Sequence, residues 1–186
     1  MHTGNAGISL IKKFESCSLT AYKLKNEKYW TIGWGHYGDP SVGSGTTWTR
    51  AHADQVLRND LGKFELYVET MVKIPLNQNR FDALVSYVYN RGPNGLRQLV
   101  NASKTIPEFS ENIVRLWGTN AAYKNGLTIR RKCEQSLFDT QLSEDQVVQE
   151  VCMGFWGNGD ARKRALKSVG LNPEVIQKKV NLLLKH

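Results

Sequence analysis

The sequence predicts an α+β chain, mostly α: a small antiparallel sheet set among helices, followed by a small three-helix bundle. Apolar residues recur at helical spacing through most of the chain, whereas period-two alternation is confined to about residues 19–37. The polar stretch "DTQLSEDQ" (139–146) then interrupts the pattern, and three short helical patterns follow it. This divides the chain into one domain over 1–140 and a bundle over 141–186, the size of one domain with an appendage.

The first helix is predicted over 4–16, where Ile8, Ile11, Phe14 and Glu15 recur at i, i+3, i+6 and i+7. Short strands follow over 19–37, with a turn near Lys25-Asn26, and then a Gly/Ser/Thr loop over 38–47. Thr49 is a good N-cap for a helix carrying Ala53, Val56, Leu57 and Leu61. Phe81, Leu84, Val85 and Val88 mark a helix over about 78–90 that Gly92 ends. Phe109, Ile113 and Leu116 mark one starting near Pro107, and Ile129, Cys133 and Leu137 one over about 127–138. Ser143 and Gln146 form a capping box for the first bundle helix, whose apolar face is Val147, Val148, Val151 and Cys152. The "GNG" at 157–159 stops it, a short helix spans 160–168, and Asn172-Pro173 starts the last one. A bundle of about 40 residues is marginal by itself, so it should lean on the first domain or on a ligand.

Composition narrows the function classes. The chain has 186 residues, 40% of them hydrophobic, and no apolar run near the ~18 residues of a membrane span. Lys12 and Lys13 interrupt the only candidate for a signal-peptide core, which predicts a protein kept in the cytosol. Cys17, Cys133 and Cys152 are odd in number and lack CxxC spacing, so they read as packed free thiols rather than a metal site. No metal, nucleotide or redox cofactor is predicted. The net charge of +8 is spread along the chain, with 18 Lys and Arg against 12 Asp and Glu up to residue 140 and 7 against 5 beyond it. That suggests an anionic partner: nucleic acid, membrane or bacterial wall. No nucleic-acid motif supports the first.

Glu15 ends the first helix on its apolar side. Apolar surroundings disfavour the charged carboxylate, which predicts a raised pKa and a group able to protonate a leaving oxygen. The alternative is a glutamate that pairs with an arginine inside the core. In "YWTIGWGH", period two puts Thr31, Gly33 and Gly35 on one face and Trp30, Ile32, Trp34 and His36 on the other. A nearly bare face suits the close approach of a flat, hydroxyl-rich molecule such as a sugar, or marks bulges in a twisted hairpin.

The stretch "FESCSLTAYK…EKYWTIGWGHYG" closely resembles the signature of phage-type lysozymes, glycoside hydrolase family 24. "QNRFDALVSYVYNRG" (78–92) is similar to the family's central helix, and "GLTIRRKCEQSLF" (126–138) to its closing helix. The resemblance covers about 4–139 and implies a lysozyme-like domain that hydrolyses the β-1,4 bond between N-acetylmuramic acid and N-acetylglucosamine. By the same resemblance Glu15 is the catalytic acid, Thr31 helps hold the attacking water, and His36 is structural. Gly33, Gly35 and Tyr37 are the expected substrate-facing residues. Of Arg130 and Arg131, which cannot share a helical face, one pairs internally and Arg131 is assigned to the groove.

The family's aspartate, nine residues after the glutamate, is Leu24 here, and no aspartate occurs between Glu15 and Asp39. Three options follow. Glu27 is the base, or Thr31 positions water without a strong base, or the chain is a lytic transglycosylase using Glu15 alone. A non-catalytic wall-binding protein is the further alternative. The tail is similar to one CW-seven cell-wall-binding repeat over about 142–182, through "GFWGNG", Arg162, Gly170 and the Ile176-Gln177…Val180-Asn181 pair. That implies Trp156, Asn158 and Arg162 as wall-binding residues, although Trp156 also suits a core anchor and the "GNG" a tight turn. Together the two resemblances imply a monomeric endolysin that acts on peptidoglycan. It is held in the host cytoplasm until lysis and released by a separate holin-type protein.

Overall fold

The computed structural model describes residues 1–116 and 124–184. Among the described residues, eight helices and three strands follow one another: α1 (Asn5–Phe14), β1 (Ser18–Tyr22), β2 (Thr31–Gly33), β3 (His36–Tyr37), α2 (Arg50–Met71), α3 (Gln78–Ala102), α4 (Ile106–Arg115), α5 (Lys124–Asp139), α6 (Glu144–Cys152), α7 (Gly159–Ser168) and α8 (Pro173–Leu183). The strands pair antiparallel in the order β1-β2-β3.

α3 is the central element. Every residue from Phe81 to Val88 is buried, so the helix is covered on all sides, and α1, α2, α4 and α5 pack around it. Periodicity picks out only Phe81, Leu84, Val85 and Val88; the packing also buries Asp82, Ser86 and Tyr87. The expected stop at Gly92 is present as a break inside α3, where Gly92 adopts φ 68° and Pro93 begins the second segment.

Buried polar groups need partners, and those of α3 hold its neighbours. The N-cap of α1, Gly4, makes no side-chain cap bond. Instead Asp82 accepts from Gly4 N at 2.8 Å and Gly7 N at 2.9 Å, putting a carboxylate from another helix at the start of α1. A Cβ on Gly7 would sit 2.7 Å from Thr3 Cγ2 and 2.9 Å from Asp82 Cβ, so this approach demands glycine. Burial nevertheless pushes the Asp82 carboxyl up. Glu65 of α2 ties down the preceding residues, accepting from Thr3 N and Oγ1, both at 2.7 Å, and meeting His2 Nδ1 at 3.0 Å.

The described residues form three hydrophobic clusters. The main one surrounds α3, a small one of Ala21, Ile32 and Val42 lies under the sheet, and a third fills the bundle with Val147, Val148, Val151, Trp156, Leu166, Ile176 and Val180. The capping box of Ser143 with Gln146 and the Asn172 cap are present as expected. Glu150 of α6 joins the bundle to α3: its Oε1 accepts from Gln78 N at 3.0 Å.

Three expectations are corrected. Glu15 is not on the helix: it is the extended C-cap of α1, φ −107° and ψ 138°. Cys152 is exposed rather than packed. The period-two faces of "YWTIGWGH" do not extend past Gly33, because positive φ at Gly33 (64°) and Gly35 (101°) turns the chain between β2 and β3.

Burial alone would push the Glu65 carboxyl up, but the hydrogen bonds from Thr3 and His2 outweigh it and hold it below its ordinary value. A depressed carboxyl contributes stability that is full above the ordinary glutamate value of about 4.5 and lost as pH falls through the folded value. Urea denaturation from pH 7 to 3 should therefore show Glu65→Gln less stable than wild type at pH 7, the difference narrowing below about pH 4.5.

Candidate active site

The end of α1, the turn between β2 and β3, α2 and α3 enclose a cleft of about 340 Å³, lined among others by Glu15, Trp34, Gly35, Tyr37, Asp60 and Tyr89. Because Glu15 caps α1 in an extended conformation, its side chain leaves the helix and remains 28% exposed. Its Oε1 accepts from Arg130 Nη1 at 2.6 Å. The apolar setting expected around this carboxyl is thus replaced by a guanidinium. General acid and internal arginine pair stand as alternatives in the sequence; the carboxylate has both the pairing and access to the cleft.

Arg130 is held from behind. Its Nε donates to Glu134 Oε1 at 3.1 Å and its Nη2 to the Ser86 carbonyl at 3.3 Å. Glu134, fully buried, also accepts from Ser86 Oγ and from Arg131 Nη2, each at 2.8 Å. The Arg131 Nε–Glu134 Oε2 contact, also 2.8 Å, is an ion pair whose N–H is not aligned for a hydrogen bond. Burial pushes the Glu134 carboxyl up, with both arginines acting against it, and pushes Arg131 down. Arg131, expected at the groove, is fully buried with its guanidinium 4.8 Å from the Tyr87 ring centroid. The expected split of the two arginines is corrected: both are buried and converge on Glu134, and Arg130 in addition meets Glu15 at the edge of the cleft. The helical phase of α5 decides this, since i+3 and i+4 spacing lets both converge on Glu134.

The other sequence-predicted residues divide. Gly35 and Tyr37 line the cleft; Thr31, Gly33 and Glu27 do not. Thr31 is buried in β2, paired with Tyr22 and Tyr37. Gly33 is covered rather than open: a Cβ there would lie 3.0 Å from Trp48 Cζ3. Glu27 closes the turn at 24–27, accepting from Leu24 N at 3.2 Å. Leu24, at the family's aspartate position, is 60% exposed. Sequence reasoning missed Asp60, the second carboxylate in the cleft, whose Oδ2 meets His36 Nδ1 at 2.8 Å. Its signal was its place beside buried Leu61 on the predicted α2.

In the bundle, Trp156 is a core residue, 5% exposed, with Nε1 donating to Glu150 Oε2 at 2.8 Å; its assignment to the wall-binding surface is corrected. Burial pushes the Glu150 carboxyl up. Arg162 donates to the Gly157 carbonyl at 2.9 Å, Gln177 Oε1 at 3.1 Å and Asn158 Oδ1 at 2.8 Å. It borders a groove of about 320 Å³ between α7 and α8, with Lys163, Gln177, Lys178 and Asn181. Asn158, which precedes α7, orients this arginine and is not among the groove-lining residues. Among the described residues no His, Cys, Asp and Glu cluster could hold a metal ion, and no helix is long and apolar enough to cross a membrane.

A small sheet set against a helical body, with a glutamate in the cleft between them, defines a lysozyme-type fold. The chain belongs to the phage lysozyme family, whose model matches residues 12–134, and residues 145–184 match the CW_7 repeat. An endolysin of Lactococcus phage c2 is 40% identical over 153 residues, covering 78% of this chain and 63% of that protein. The endolysin of Salmonella phage P22 is 33% identical over 147 residues, covering 74% and 98%. The chain thus spans less than two thirds of the length of the Lactococcus phage relative. Among solved structures, the muramidase domain of SpmX from Asticaccaulis excentricus superposes with a TM-score of 0.66 at 32% identity, covering 76% of this chain and 100% of that one. A mutant of P22 lysozyme gives 0.63 at 31%, covering 75% and 99%.

Glu134→Ala should leave the buried Arg131 guanidinium without a carboxylate and Arg130 with Glu15 alone, and cost roughly 3–5 kcal/mol. Urea denaturation at pH 7 measures it.

Proposed function

We propose that this chain is an endolysin that cleaves peptidoglycan as a muramidase, with Glu15 as the general acid. The observation that carries this is a half-open glutamate, held by Arg130, in a cleft between sheet and helices. A glycan strand lying in the cleft would present its β-1,4 oxygen to Glu15, which donates a proton as the bond to the muramic acid carbon breaks. The Arg130 guanidinium then stabilises the carboxylate left behind. Water adding at that carbon completes hydrolysis, its released proton passing to solvent, from which the Glu15 carboxylate is reprotonated. Thr31, the residue the family resemblance assigns to that water, is buried in β2 outside the cleft lining and is given no contact with it. Neither Glu27 nor any aspartate occupies the family's usual base position, so this reading asks the acid to supply most of the rate.

In the same reading, residues 1–140 form the catalytic unit and 141–186 the wall-binding unit. Arg162 in the α7–α8 groove takes a peptide-stem carboxylate, a pairing to which a planar guanidinium is suited. The α8 motif supports this: Ile176 and Val180 are buried while Gln177 and Asn181, one residue on, border the groove. One repeat binds weakly, but tethering raises the effective concentration of the catalytic unit at the wall. The protein works as a monomer on peptidoglycan, without nucleic acid or membrane, after a holin-type protein releases it from the host cytoplasm.

Digesting purified peptidoglycan and reading the sugar ends by mass spectrometry tests the reaction. Reducing muramic acid ends are expected. A 1,6-anhydro end would identify a lytic transglycosylase, in which the sugar's own hydroxyl attacks, and no fragments from walls that still bind would leave only a binder. Glu15→Gln should abolish lysis while pelleting with walls is unchanged. Arg162→Ala should weaken pelleting about tenfold and leave cleavage of soluble fragments intact.

A further inference from the structure

Tyr89 stands at the end of the buried run of α3, one turn from Ser86. Its hydroxyl donates to the carbonyl of Trp34 at 2.6 Å. Trp34 belongs to the turn between β2 and β3, so this bond joins the sheet side of the cleft to the helical side, and both residues line the cleft with Glu15. The sheet has its own small core, separate from that around α3. Trp34 also packs against the core around α3, and β2 and β3 meet α2, so the Tyr89 bond adds a directed polar link to these apolar contacts. The Tyr89 ring is fixed against Phe64 at 5.0 Å between centroids. The Trp34 side chain is fixed by α1 and α2: its Nε1 donates to Asp54 of α2 at 2.7 Å, and Lys12 of α1 and Arg50 of α2 lie 5.2 and 4.9 Å from its ring centroid, which leaves its backbone carbonyl to Tyr89 of α3. Gly35 lies beside the hydroxyl, where a Cβ would be in ordinary contact at 3.4 Å from Tyr89 Oη; its φ of 101° is what favours glycine in this turn. Burial pushes the hydroxyl pKa up, and Glu15 and Asp60 act the same way against Arg130.

We propose that Tyr89 is a positioning residue: its hydroxyl latches the β2–β3 turn to α3 and so sets the distance from Glu15 of the cleft wall formed by Trp34, Gly35 and Tyr37. The use of this wall for a glycan rests on the muramidase reading; the latch does not. Tyr89 does not touch the reacting atoms. Its effect is on how firmly the wall is held when a saccharide enters.

Tyr89→Phe removes the hydroxyl and keeps the ring on Phe64. Amide hydrogen exchange over Trp34–Tyr37 should accelerate about two- to tenfold, the equivalent of one neutral hydrogen bond, with exchange in α5 unchanged. On soluble peptidoglycan fragments KM should rise by the same factor, with kcat within twofold and the pH profile unmoved. Unchanged exchange over Trp34–Tyr37 would overturn the latch. So would a fall in kcat at constant KM, which would put Tyr89 in the chemistry. If wild type cleaves no glycan, the muramidase reading fails while the exchange measurement still decides the latch. Glu15→Gln should leave exchange at the turn as in wild type, separating loss of the acid from loss of the latch.

Discussion

The rest of the structure depends on the complete burial of one helix. From Phe81 to Val88, α3 has no solvent-facing side, so its polar groups must be satisfied by neighbouring elements. Asp82 and Ser86 are four residues apart and Tyr89 three further on, so the three fall along one stripe of the helix. Asp82 receives the start of α1. Ser86 receives Glu134, and through it Arg130. Tyr89 receives the turn of the sheet. A single helical face thus sets the positions of both ends of α1 and of the cleft wall opposite.

That arrangement explains how Glu15 can be both paired and accessible. Its ion pair with Arg130 is not a surface contact between two mobile chains: the guanidinium is 4% exposed and fixed at three nitrogens. The entropic cost of ordering Arg130 is met within the α5–α3 contact, so the guanidinium is preorganised for the glutamate. Glu134 in turn remains buried because two arginines and a serine hydroxyl converge on it. Replacing any of the three changes what faces the cleft without touching it.

The bundle shows the same sharing of one group between two jobs. Glu150 holds the Trp156 indole with one oxygen and the first backbone N–H of α3 with the other. One carboxylate therefore both closes the bundle core and fastens α6 to the start of α3, consistent with a bundle too small to depend on its own core alone. Gln78 carries the link on to Asp82, at 2.7 Å through its Nε2.

Periodicity, caps and turn residues were enough to read the helices, because each is a local property. Thr49, Ser143 and Asn172 satisfy the backbone donors that their positions predicted. Glu15, Gly35 and Tyr37 were legible as a group because they flank one short hairpin. The sequence by itself determined that a glutamate ends the first helix, that the strand region is small and glycine-rich, and that no aspartate follows nine residues on. Only the tertiary structure decided that Gly33 is covered by Trp48, that Trp156 faces inward, and that Arg130 rather than Arg131 meets Glu15. Each of those depends on which atoms from a distant segment occupy the same space. Asp60 and Tyr89 entered the cleft for the same reason: α2 and α3 carry them there, and local sequence holds no record of what a helix packs against.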